Sequence, residues 1–123
     1  MVYATDLING HFPLPLGIIK GNFEVQEDSN DAFVSLHNGP KEVGGNFKIS
    51  KNPCLKSLQY APKKVGGDFM VSCCDITSLE GCPEEVQGDF GISSNDKLIN
   101  LKGAPKLIHG DVNCSYCANL TSV

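Results

Sequence analysis

The sequence predicts a mainly β, right-handed solenoid, a chain wound into stacked rungs, and three observations carry that prediction. A unit of about 22 residues recurs, its apolar residues keep fixed spacings, and its length changes fall in one place. Gly21-Asn22-Phe23 returns as Gly45-Asn46-Phe47, Gly67-Asp68-Phe69, Gly88-Asp89-Phe90 and Gly110-Asp111-Val112, in steps of 24, 22, 21 and 22 residues. Four units are complete and a fifth begins.

Taken in order, residues 1–20 read as a degenerate rung: Leu14-Pro15 stands where Ala-Pro stands later, and Ile18-Ile19 adds a residue. This stretch is expected to cap the array and shield Phe23 and Val25, with 21–123 forming the solenoid of the same single domain. Each unit opens on a short strand. Its aromatic is followed two residues on by Val25, Ile49, Val71, Ile92 or Cys114, so both point to one face. Three residues further come Asp28, Asn52, Cys74, Asn95 and Cys117, a column whose side chains are suited to bond backbone groups in the turn and pass those bonds from rung to rung.

An apolar pair spaced by three then closes the rung: Phe33 with Leu36, Leu55 with Leu58, Ile76 with Leu79, Leu98 with Leu101, Leu120 with Val123. Four residues beyond the second member stands Pro40, Pro62, Pro83 or Pro105, and Val43, Val65, Val86 or Ile108 precedes the next glycine by two. Proline fixes φ and lacks an N–H, so the return path is expected to be extended or polyproline-like rather than helical. The two extra residues of the long unit lie between Asp28 and Phe33, and the residue missing from the short one lies between Cys74 and Ile76. That places the tolerant loop just after the strand.

With its apolar-x-apolar-x-x-Asn/Cys strand followed by Leu-x-x-Leu, the unit resembles the leucine-rich repeat from about Leu14 onward. The segment Leu58 to Pro62 and then Val65-Gly-Gly-Asp-Phe69 looks most like the short, proline-containing repeats of bacterial effector and phage-encoded proteins. Phe replaces the leucine expected early in the strand, and Gly-Gly precedes the strand in two units. The resemblance implies short parallel strands on a concave face, extended convex segments, and a surface for binding another protein.

Composition narrows the function. The 13 glycines and 7 prolines of the 123 residues fall at repeated slots, which argues against disorder, and a net charge of −4 without a Lys/Arg-rich stretch argues against nucleic-acid binding. Neither a signal sequence nor a membrane-spanning segment is evident, so cytoplasmic residence is expected, in the host cytoplasm if the chain is phage-encoded. Val112, Cys114, Leu120 and Val123 would line the C-terminal edge, which suggests self-association there.

Chemical motifs have structural explanations. Cys114-x-x-Cys117 has half the spacing of a zinc site, but both cysteines fall in repeat slots and no second pair completes a site. No metal and no cofactor is expected, and the cysteines read as free thiols in a reducing compartment. His37 shares its slot with Gln59, Glu80 and Lys102, and His109 with Gly44, Gly66 and Gln87, so neither reads as catalytic; an enzyme is not expected. The column Asn22, Asn46, Asp68, Asp89, Asp111 admits two readings, a calcium ladder or residues capping the turn after glycine, with capping preferred. Asp68, Asp89 and Asp111 also form a candidate docking point for a basic protein surface.

Specificity is expected in the outward strand slots, which vary: Glu24, Lys48, Met70, Gly91 and Asn113, then Gln26 and a run of serines, then Glu27, Lys51, Cys73, Ser94 and Tyr116. Met70 and Tyr116 are the expected anchors, because apolar and aromatic side chains contribute most per contact. The function expected is a non-enzymatic protein-binding module, phage- or pathogen-encoded, that attaches to a host protein and inhibits or redirects it. The alternative is a structural or adhesive piece of a longer array.

Overall fold

In the computed structural model the described residues are 17–25, 36–51, 55–115 and 117. Each rung contributes two short strands. They are β1 (Ile18–Ile19) and β2 (Phe23–Val25), β3 (Glu42–Val43) and β4 (Phe47–Ser50), β5 (Lys64–Val65) and β6 (Phe69–Ser72), β7 (Glu85–Val86) and β8 (Phe90–Gly91), and β9 (Leu107–Ile108) and β10 (Val112–Asn113). Among the described residues all regular structure is strand. The strands stack into two parallel five-stranded sheets, ordered β1-β3-β5-β7-β9 and β2-β4-β6-β8-β10, so the chain is a β-solenoid.

The register is that of the repeat. Phe23 pairs with Phe47, Phe47 with Phe69, Phe69 with Phe90 and Phe90 with Val112, so equivalent residues lie directly above one another. A rung spacing of about 4.8 Å brings their side chains into contact. The four phenylalanine rings stack, with centroids 5.0, 4.8 and 5.6 Å apart and planes within 14° of parallel. Around this stack close Val25, Ile49 and Val71 from the same strands, Ile92 just beyond β8, Val43, Val65 and Val86 from the other sheet, and Leu36, Leu55, Leu58, Ile76, Leu79 and Leu98 of the apolar pairs, all buried, with Leu101 partly so. No single rung could enclose such a face, so burial is a product of stacking.

The return path is extended as the prolines suggest, and it also pairs. The first sheet joins Ile19, Val43, Val65, Val86 and Ile108 in register on its inner side, and Ile18, Glu42, Lys64, Glu85 and Leu107 on its outer side. Two residues per strand are too few to show as alternation in the sequence.

Between the two sheets each rung turns a corner at glycine. Gly45, Gly67, Gly88 and Gly110 donate their N–H to the glycine carbonyl one rung earlier at 2.9 Å. A side chain is excluded at these four positions, because a Cβ would overlap the Asn22, Asn46, Asp68 or Asp89 Oδ1 of the preceding rung.

At the C-terminal side the enclosure weakens. Val112 occupies the phenylalanine slot of the last described rung yet is 54% exposed, and Ile108 and Leu101 are only partly buried where Val86 and Leu79 are fully enclosed. Leu120 and Val123, which the sequence places on the same edge, lie outside the described residues, as do the tolerant loop at 26–35 and most of the expected cap at 1–20.

Candidate functional site

The outward face of the second sheet is the candidate site. Pairing sets Glu24, Lys48, Met70, Gly91 and Asn113 in one row across five strands. Lys48 and Asn113 are exposed, whereas Glu24 and Met70 are half-buried. Gly91 is buried because the Met70 side chain lies across it: a Cβ at Gly91 would strike the Met70 sulfur. Met70 therefore forms a flat apolar patch spanning two rungs, flanked by a cation on one side and an amide on the other.

Lys51 lies beyond the strand in a different setting. Lys51, Cys73 and Ser94 all have left-handed backbone (φ 57°, 56° and 60°), so their column is the bend that ends the strand. The ladder continues through it, since Lys51 N–H donates to Ser72 C=O at 3.1 Å and Ser94 N–H to Ser115 C=O at 2.9 Å. Gln26, Asp28, Asn52 and Tyr116 lie outside the described residues.

The Asn/Asp column after glycine forms a continuous chain of bonds. Asn22 Oδ1 accepts the N–H of Asn46, Asn46 Oδ1 that of Asp68, Asp68 Oδ1 that of Asp89 and Asp89 Oδ1 that of Asp111, each at 2.8 Å. These side chains do bond backbone, but to the next rung rather than to their own turn. The column also takes part in main-chain pairing: the carbonyls of Asn46, Asp68, Asp89 and Asp111 accept the N–H of the phenylalanine one rung earlier. Each Asp68 and Asp89 carboxylate thus has one oxygen held by an amide, which offsets part of the repulsion along the column.

Deeper in the turn, Asn95 is fully buried. Its Nδ2 donates to Ile92 C=O (2.6 Å), to Val71 C=O on the rung before (2.9 Å) and to Ser93 C=O (3.2 Å), and its Oδ1 accepts the Cys74 N–H at 3.1 Å. In the same column, Cys74 Sγ donates to Ser72 C=O at 3.4 Å and Cys117 Sγ to Ile92 C=O at 3.2 Å. Thiol and amide serve the same carbonyl-binding purpose with different strength.

Cys73, Cys74, Cys82, Cys114 and Cys117 are free thiols. Burial against the core pushes the Cys82 thiol from the ordinary 9.0 up to about 12, which keeps it protonated and unreactive at neutral pH. His109 Nε2 sits 3.3 Å from the Glu85 carboxylate on the outer side of the first sheet, in contact with solvent.

Sequence reading passed over one further feature. A groove of about 460 Å³ opens where the turn after the leucine pair meets the first sheet, with Pro40 and Ala61 in its floor and Tyr60 in its wall. Its sequence signal is a tyrosine, Tyr60, in the slot that later rungs fill with Gly81 and Gly103.

Fold and site define a parallel β-solenoid repeat protein. No protein-family model, curated protein or solved structure matches the chain.

Proposed function

We propose that the chain is a non-enzymatic protein-binding module of the leucine-rich-repeat kind, and that the outward face of β2-β4-β6-β8-β10 is its docking surface. The supporting observation is the contrast within single strands. Inward positions hold Phe above Phe above Phe, whereas the alternate outward positions read Glu24, Lys48, Met70, Gly91, Asn113 with no residue type repeated. Packing constrains the first row; a partner surface is the constraint that fits the second.

The row divides into a charged segment at Glu24 and Lys48 and an apolar patch at Met70 over Gly91, which suits a folded partner with an apolar knob beside paired charges. By resemblance to short effector and phage repeats, the partner is a host protein that the module inhibits or redirects, a step that rests on fold-level analogy. Asp68, Asp89 and Asp111 lie at the start of this face and offer their outer carboxylate oxygens to basic side chains of the same partner.

A second reading, a structural or adhesive piece of a longer array, draws support from the 54% exposure of Val112 in the last rung. Affinity purification from a host lysate separates the two. One stoichiometric partner, lost on Met70→Asp and on Lys48→Glu, is the expected outcome; recovery of the chain's own copies alone would overturn it in favour of the array.

A further inference from the structure

The turn that follows each leucine pair is closed by an N–H to C=O bond, Gly39 to Leu36, Ala61 to Leu58, Cys82 to Leu79 and Ala104 to Leu101, at 2.7 to 3.2 Å. Its third residue is left-handed in every case: Asn38 (φ 64°), Tyr60 (73°), Gly81 (96°) and Gly103 (92°). Glycine adopts this conformation freely and asparagine with little penalty, but a bulky aromatic adopts it only against steric resistance. The chain holds Tyr60 there all the same, 56% exposed, with its ring edge-on to His37 of the rung before (centroids 5.2 Å apart, planes at 78°). Strain that places an aromatic in solvent does nothing for the core, and it marks a position kept for another purpose.

Tyr60 and His37 wall the groove described above, whose floor is Pro40 and Ala61. Lys41 and Lys63 stand at its rim, one rung apart, their spacing fixed by the Lys63 N–H bond to Lys41 C=O at 2.8 Å. Both are exposed, and among the described residues neither makes an ion pair and no carboxylate lines the groove. In a chain of net charge −4 this is a local cationic site around an apolar floor. It is confined to these rungs: the next has Gly81 for the tyrosine and Glu84 for the lysine, and the one after has Gly103.

We propose that this groove is a second binding site, for an acidic peptide segment that carries an apolar side chain. The apolar group seats against Tyr60, Pro40 and Ala61, and flanking carboxylates meet Lys41 and Lys63. The site lies away from the outward face of the second sheet, so the two surfaces can be occupied independently, and a failure of one leaves the other standing.

Selection of random dodecapeptides displayed on phage against the full chain tests the proposal, with fluorescence anisotropy of the selected peptides as the readout. The expected family places Asp or Glu on either side of a large apolar residue and binds more weakly as salt rises. Tyr60→Gly relieves the backbone strain and is expected to preserve folding while weakening these peptides about tenfold or more. Tyr60→Asn, matching Asn38, gives the same reading should the glycine variant prove unstable. The Lys41→Glu, Lys63→Glu double variant weakens them similarly, whereas Lys106→Glu and Met70→Asp leave them unchanged. The proposal is overturned if no peptide family is enriched, if the enriched family is basic or uncharged, or if binding is indifferent to the tyrosine.

Discussion

The third rung and the fifth follow the same repeat and have different physical fates. Phe69 lies between Phe47 and Phe90 and is fully buried; Val112, in the equivalent slot with Phe90 on one side, is 54% exposed. A slot in the unit therefore specifies where a side chain points, and the neighbouring rungs decide whether water is excluded from it. Stability in such a chain is a sum over interfaces between rungs, to which an interior rung contributes two and a terminal rung one.

The largest effect should expose this difference. Phe69→Ala removes a ring stacked on both faces and is expected to cost about 3–5 kcal/mol, whereas Val112→Ala should cost well under about 1 kcal/mol. Chemical denaturation of the two variants measures both values, and equal losses would mean that the terminal rung is as enclosed as the interior one.

Next in size is Asn95→Ala, which removes the side-chain partner of the Cys74 N–H and of the Val71 carbonyl and leaves the Ile92 carbonyl with the weaker Cys117 thiol. A loss of about 2–3 kcal/mol is expected from orphaned buried groups. Hydrogen exchange should show faster exchange at the Cys74 amide in particular; unchanged protection there would remove the proposed role of the amide.

The smallest effects belong to the column after glycine. Asp89→Ala removes the acceptor of the Asp111 N–H and should cost about 1 kcal/mol, while Asp89→Asn, which keeps Oδ1, should be close to neutral. Asp111→Ala should cost less than Asp89→Ala, since among the described residues no amide bonds to the Asp111 side chain. Thermal midpoints of the three variants rank them, and a reversed order would show that the bonds between rungs contribute little.

Much of this architecture was legible because stacking forces equivalent residues into equivalent surroundings. The spacing from Phe69 to Val71 to Leu79 to Val86 carries the strand, the apolar pair and the return path. The first sheet was not legible as a sheet: segments such as Lys64–Val65 hold one inward residue each, too short a run for a period-two pattern. In the column from Asn22 to Asp111 the residue type was readable but the partner was not, because a bond to the next rung spans 21 to 24 residues and leaves no local trace. The glycine before each member was the available clue. Variation at Lys51, Cys73 and Ser94 suggests outward strand surface, whereas their left-handed backbone makes them a bend; variable side chains mark both. The half-buried setting of Met70 leaves no trace within its own unit, because the space it fills is the missing side chain of Gly91 in the next.

The glycine and the acidic or amide residue that follows it act as a lock on alignment between successive coils. A coil that slipped by one position would bring a side-chain carbon onto the oxygen waiting above, and the amide meant for that oxygen would be displaced. Tandem sequences are prone to pairing with the wrong copy of themselves, and this couple penalises the off-by-one error in either direction at Gly88 and Gly110, and in one direction at Gly45 and Gly67, where a second glycine precedes, while accepting any coil that arrives in phase. Growth or shrinkage of such a protein by whole units is thereby compatible with its fold, and change by fractions of a unit is restricted to the loops that the lock does not touch.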